Sequence, residues 1–197
     1  NMAAAALILV DLQTEFLSPK GNFPIAEQSR TSLQSRLEEL VPKWRPRAPI
    51  IWVRSEYTPT EELRTSATTS EDEYLSGTHS GPVACCSAGS PGAQFPAEIE
   101  ELVHPVDEVI VKHWYSAFKS TNLDYDLKQA GVSQIYIAGL LSHICVKATV
   151  RDALRRGYQV AVIKDCLGWR NEEVHAQAVA RIAEMGAVLI ESAGVMQ

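Results

Sequence analysis

Three residues at the carboxyl ends of apolar segments could do chemistry together: Asp11, Lys112 and Cys145. Asp11 follows Ala5–Val10, Lys112 follows Val109-Ile110-Val111, and Cys145 lies just past Ile135–Gly139. They supply an acid, a base and a soft nucleophile. In an open α/β sheet the ligand crevice lies outside the carboxyl ends of the strands. Such an acid, cation and thiol would converge there. A thiol can attack an electrophilic carbon, and a carboxylate beside it can take the proton and later return it. An ammonium in the same crevice would lower the thiol's pKa and favour an ionised Asp11. Each residue alone also has an ordinary reading, a buried structural cysteine, a solvated strand cap or a loop cap.

The elements that would carry these residues alternate. The run through residues 5–11 is almost continuously apolar, as a strand covered on both faces should be. Leu33, Leu37, Leu40 and Val41 repeat at helical spacing over residues 31–43. Further strands are predicted at 49–54, 108–112, 134–139, 159–163 and 187–191. Helices are predicted at 97–102, 121–130, 144–156 and 172–184. Gly131, Gly157 and Gly186 close three of them, as helix-stop residues do. Strands and helices joined by short links predict an α/β, three-layer Rossmann-like fold. Its sheet would be mostly parallel and six-stranded, with helices on both faces, and residues 3–197 would form a single domain. Residues 55–95 show no sustained period and are expected to form a functional loop or lid. In the segment Gly139-Leu140-Leu141-Ser142-His143-Ile144-Cys145-Val146, Cys145 falls in the first turn of a helix. The helix dipole favours a thiolate there, and the free amides of that turn can hold an oxyanion.

Composition narrows the partners. The chain has 197 residues, a net charge of −6, 46% apolar and 21% charged residues. With no basic face, nucleic acid is excluded as a partner, and no apolar run reaches the roughly 18 residues of a membrane span. The opening residues lack the basic and long apolar segments of a signal peptide. Cys85, Cys86, Cys145 and Cys166 have no metal-ligand or disulfide-framework spacing, so a reduced, cytoplasmic setting is expected. Phe16, Trp114, Tyr115, Ser142 and Trp169 are expected to shape a pocket for a small substrate. The Glu71-Asp72-Glu73 run reads as a solvated face, and His79, His104, His113 and His175 as surface or loop residues.

Leu7-Ile8-Leu9-Val10-Asp11-Leu12-Gln13, Val111-Lys112 with Ser116-Ala117-Phe118 and Thr121-Asn122-Leu123, and Gly139 with Cys145-Val146, Thr149 and Arg151-Asp152-Ala153 resemble the isochorismatase-like cysteine hydrolases. The likeness runs in order from about Ala5 to Ser192. It implies Asp11 as general base and acid, Lys112 as the positioning charge and Cys145 as nucleophile. It further implies a non-proline cis peptide at Leu140–Leu141, which turns the Leu141 amide toward the oxyanion beside that of Cys145. Dimers or tetramers are common in the family. The nicotinamidase branch carries a metal-binding Asp-x-His pattern after the second strand. Here Arg54-Ser55-Glu56-Tyr57 stands in that place with His79 further on, so no metal and no other cofactor is expected. The implied reaction is hydrolysis of a small amide or carbamoyl C–N bond through a Cys145 thioester. Trp114-Tyr115-Ser116-Ala117-Phe118 and Ser142-His143-Ile144 also resemble true isochorismatases, which cleave a vinyl ether to release pyruvate without a cysteine nucleophile. A non-catalytic binding module is the third reading.

Overall fold

The computed structural model describes residues 4–57 and 85–195. Its elements in chain order are β1 (Ala4–Val10), α1 (Thr14–Leu17), α2 (Glu27–Trp44), β2 (Ile50–Ser55), α3 (Ala97–Glu100), β3 (Glu108–Lys112), α4 (Leu123–Gln129), β4 (Val132–Gly139), α5 (Lys147–Arg155), β5 (Gln159–Leu167), α6 (Glu172–Glu184), β6 (Val188–Ile190) and α7 (Ser192–Val195). A π-helical turn, Ser142–Val146, leads into α5. The expected irregular stretch 55–95 is described only at its two ends. His79 and the Glu71-Asp72-Glu73 run lie outside the described residues.

All strand pairs are parallel and the order is β3-β2-β1-β4-β5-β6. This is the three-layer Rossmann-like arrangement expected from the alternation of strands and helices. β1 lies at the centre, and Ala6 to Val10 have no solvent exposure. The apolar run is therefore explained by burial on both faces. Strand order reverses between β1 and β4, so the two chains leave their strands in opposite directions and open a crevice. Asp11 follows one of these strands, and the turn bearing Cys145 follows the other.

Several boundaries differ from those predicted. α2 starts at Glu27 rather than residue 31, because Ser29 is buried and its hydroxyl accepts from the Trp169 amide at 3.0 Å. The predicted helix 144–156 begins instead as the π turn, with Val146 N–H donating to Leu141 O at 3.3 Å. β5 continues past Ile163 through the polar pair Lys164 and Asp165. Asp165 is satisfied there by the Ser192 amide at 2.7 Å and hydroxyl at 2.6 Å, so the polar residues do not end the strand. Short helix α1 has no periodic signal of its own. It carries Phe16 and Leu17 into the core together with the buried carboxylate Glu15.

The Leu140–Leu141 peptide bond is cis, as the family likeness implied. One residue earlier, Gly139 has φ +114°, and a Cβ on it would lie 2.1 Å from the Val10 carbonyl oxygen. Only glycine allows β1 and β4 to approach this closely where they diverge. Gly139→Ala is expected to destabilise the protein by roughly 3 kcal/mol or more. A urea titration followed by circular dichroism checks this; an unchanged midpoint would contradict the steric reading.

Candidate active site

Asp11, Lys112 and Cys145 meet at the carboxyl end of the sheet and are buried. Lys112 pairs with Ser55 across β3 and β2, so its side chain must pass the end of β2 to reach the end of β1. Its Nζ lies 3.1 Å from Asp11 Oδ2, 3.3 Å from Cys145 Sγ, 2.7 Å from Ser55 Oγ and 3.0 Å from the Trp114 carbonyl oxygen. Asp11 sits in the left-handed region at φ 56°, which Asp tolerates better than most residues. Its amide donates to Val53 O at 2.8 Å, tying the turn to β2.

Two residues that sequence reasoning did not single out build the support. Ser55 donates its one hydroxyl proton to Asp11 Oδ1 at 2.9 Å while accepting from Lys112. Gln13, fully buried, clamps the Ser55 backbone from both sides. Its amide donates to Ser55 O at 2.7 Å and to Ala93 O at 2.7 Å, and its Oε1 accepts from Ser55 N at 2.9 Å. The available signal was the spacing Asp11-Leu12-Gln13: a polar amide three residues past a buried strand is costly to bury unless fully bonded.

The electrostatics follow from burial. Loss of water alone would lower the Lys112 pKa, but Asp11 and Cys145 outweigh it and hold the ammonium above its ordinary range. The Cys145 thiol is pushed well up by burial and by the Asp11 charge, against the opposing pull of Lys112. The sequence expectation of an acidified thiolate is therefore corrected. The helix proper begins only at Lys147, and desolvation dominates at the sulfur. Burial and the neighbouring Asp11 thus favour the protonated sulfur.

A cavity of about 420 Å³ opens on this cluster, lined by Asp11 and Cys145, by Phe16, Phe23, Leu141, Ile144 and Val174, and by Cys85, His143, Arg170 and Asn171. In the π turn, Ile144 and Val146 donate to Leu141 O, and Ser142 donates to Gly168 O. None of these bonds uses the N–H of Leu141 or Cys145.

Of the predicted pocket residues, Phe16 lines this cavity. The other four do not. Trp114 is buried and contributes its carbonyl to Lys112, its ring lying 4.2 Å from Lys119 Nζ. Tyr115 lines a neighbouring cleft with Lys147, Arg151 and Arg181. Ser142 is turned into the protein, its Oγ 2.9 Å from His175 Nδ1. Trp169 stacks on His175 with ring centroids 5.7 Å apart, so His175 is a packed helix residue rather than a surface one. His143, Arg170 and Asn171 were missed, although the last two follow the carboxyl end of β5 and obey the same strand-end rule as Asp11.

A model of the isochorismatase domain matches residues 5–194. Nicotinamidase 3 of Arabidopsis thaliana is 26% identical over 192 residues, covering 97% of this chain and 86% of its own. The secreted isochorismatase effector Isc1 of Verticillium dahliae is 28% identical over 200 residues, covering 95% and 88%. A crystal structure of an isochorismatase family protein from Desulfovibrio vulgaris superposes with a TM-score of 0.80 at 23% identity, covering 98% and 96%. The chain belongs to the isochorismatase family of hydrolases.

The segment after β2 differs from the metal-binding Asp-x-His pattern of the nicotinamidase branch. Where that branch would place ligands after β2, Arg54 carries a guanidinium ion-paired with Glu56 at 2.9 Å. Among the described residues no group of three or more His, Cys, Asp or Glu could hold a metal ion.

Both Lys112 and Cys145 keep protons in the native state that the unfolded chain releases, since both pKa values are raised on folding. Their contribution is complete below about pH 8 and falls as pH rises past about 8.5 for the thiol and 10.4 for the ammonium. Stability is expected to decline between about pH 8 and 10, and less steeply in Cys145→Ala. Urea midpoints across that range test this; parallel declines in the two proteins would contradict it.

Proposed function

We propose that the protein is a cysteine hydrolase that cleaves the C–N bond of a small amide or carbamoyl compound. The observation that carries this reading is the contact of one sulfur, one carboxylate and one ammonium beside a largely apolar cavity. The similarity to a nicotinamidase, named for amide hydrolysis, supports it.

As Cys145 Sγ attacks the carbonyl carbon, Asp11 takes the thiol proton. Because the resting thiol is hard to ionise, proton transfer and attack are coupled, and no free thiolate accumulates. The N–H groups of Leu141 and Cys145 hold the oxyanion. Protonated Asp11 then delivers its proton to the leaving nitrogen, the C–N bond breaks and a Cys145 thioester remains. Asp11 next removes a proton from a water that attacks the thioester, releasing the acid and restoring the thiol. Lys112 keeps Asp11 in position and balances its charge whenever it is ionised. Phe16, Phe23, Leu141 and Ile144 keep the acyl group in a dry space.

A second reading, hydrolysis of a vinyl ether with Asp11 as the proton donor, is favoured by the likeness to the isochorismatase effector. The two separate cleanly. Under the first, Cys145→Ala loses at least about 10³-fold in turnover while remaining folded. Mass spectrometry of wild type quenched during turnover then finds an acyl group on the Cys145 peptide. Retention of activity toward isochorismate in Cys145→Ala, with no acyl adduct, would establish the second and overturn the first. Asp11→Ala is inactive under both.

A further inference from the structure

We propose that His175 is a positioning residue for the oxyanion turn: through the Ser142 hydroxyl it sets the direction of the neighbouring Leu141 N–H. This rests on the thioester reading and gives that site a support on α6.

Ser142 follows Leu141 and opens the π turn that carries Cys145. It has no solvent exposure, and two bonds hold it. Its amide donates to Gly168 O at 3.1 Å, and its Oγ lies 2.9 Å from His175 Nδ1. Among the described residues the hydroxyl has no other partner, so its buried proton goes to the imidazole. That makes Nδ1 the acceptor and puts the ring proton on Nε2. Burial holds the imidazole below its ordinary range, against the pull of Glu172, and so keeps Nδ1 unprotonated at neutral pH. The ring itself is fixed. Trp169 stacks on it, and the His175 amide donates to Asn171 O at 3.0 Å in the first turn of α6. Trp169 is held in turn by its backbone, its amide donating to Ser29 Oγ and its carbonyl accepting from the Ala26 amide, both at 3.0 Å.

The consequence reaches Leu141. Its carbonyl accepts from the Ile144 and Val146 amides at 3.1 and 3.3 Å. Ser142, on the next Cα, is tied to the end of β5 and to α6. With both sides of the Leu141–Ser142 peptide pinned, the Leu141 backbone cannot rotate. Its N–H, which the turn does not use, keeps one direction beside the cavity that Leu141 and Cys145 line. A preorganised donor of this kind is what a developing oxyanion needs. Without the hydroxyl or the ring acceptor, the Ser142 side of the peptide loosens and the donor drifts. Cys145 stays in place, because Lys112 Nζ holds its sulfur at 3.3 Å. The expected signature is therefore selective. Chemistry that builds an oxyanion slows, and chemistry at the sulfur alone does not.

Two reagents separate these, each read on the Cys145 peptide by mass spectrometry. With p-nitrophenyl acetate, Cys145 Sγ bonds the acetyl carbon through a tetrahedral oxyanion, Asp11 takes the thiol proton and p-nitrophenolate leaves. Iodoacetamide alkylates the same sulfur by displacing iodide, with no oxyanion. Ser142→Ala and His175→Phe should each slow acetylation by about tenfold or more and leave alkylation within about twofold of wild type. His175→Asn, whose amide oxygen can accept where Nδ1 does, should recover most of the acetylation rate. The double variant Ser142→Ala/His175→Phe should lose no more than the worse single, since one bond carries both effects. Unchanged acetylation, equal slowing with both reagents, or additive losses in the double variant would overturn the proposal. The Leu141 amide resonance in a nitrogen–proton NMR spectrum reads the turn without chemistry. It should shift in Ser142→Ala and His175→Phe and return toward wild type in His175→Asn. If the ester leaves wild-type Cys145 unmodified while the resonance behaves in this way, the positioning role stands and the thioester reading falls. If the resonance ignores all three substitutions, the positioning role itself is wrong.

Discussion

A buried ion pair organises this protein's functional end. Asp11 and Lys112 are both out of water, and moving either charge there alone would cost several kcal/mol. Their mutual attraction is not enough; the remaining oxygens and protons must also be satisfied. Ser55 bridges the two, the Trp114 carbonyl takes another Lys112 proton, and Gln13 holds Ser55 by its own backbone. The pair therefore fixes the ends of β1, β2 and β3 relative to one another. Cys145, delivered from β4, meets a carboxylate whose position and charge are already set.

This arrangement also explains why the thiol is not the acidic one expected from a helix start beside a lysine. The ammonium's charge is committed to Asp11, and burial penalises a second anion in the same space. The consequence is chemical. Under the proposed chemistry, the neighbouring carboxylate substitutes for a lowered pKa by taking the thiol proton as the sulfur attacks.

Much of the fold was legible because burial on both faces writes apolar strands and amphipathic helices into the residues themselves. Ala5 to Val10 and the Leu33–Leu37–Leu40 stripe needed no context. Boundaries were lost wherever a polar group was satisfied from far away in the chain. Asp165 continues β5 because Ser192 serves it, and Ser29 sits in α2 because Trp169 uses it. The pocket was harder still. Trp114, Tyr115, Ser142 and Trp169 follow strand ends, yet Trp114, Ser142 and Trp169 turn to partners outside the cavity and Tyr115 lines a neighbouring cleft, because side-chain direction is a property of packing.

By itself, then, the chain determined which reactive groups stand at strand ends and that those ends belong to one parallel sheet. Residue type and periodicity are local, and locality suffices for both. Only the folded protein decided that Lys112 reaches across β2 to Asp11, that Gln13 and Ser55 support the pair, and that His143, Arg170 and Asn171 face the sulfur's cavity. The ion pair and its supporting bonds join residues from 42 to about 100 positions apart, and their geometry exists only once the strands are registered and water is excluded.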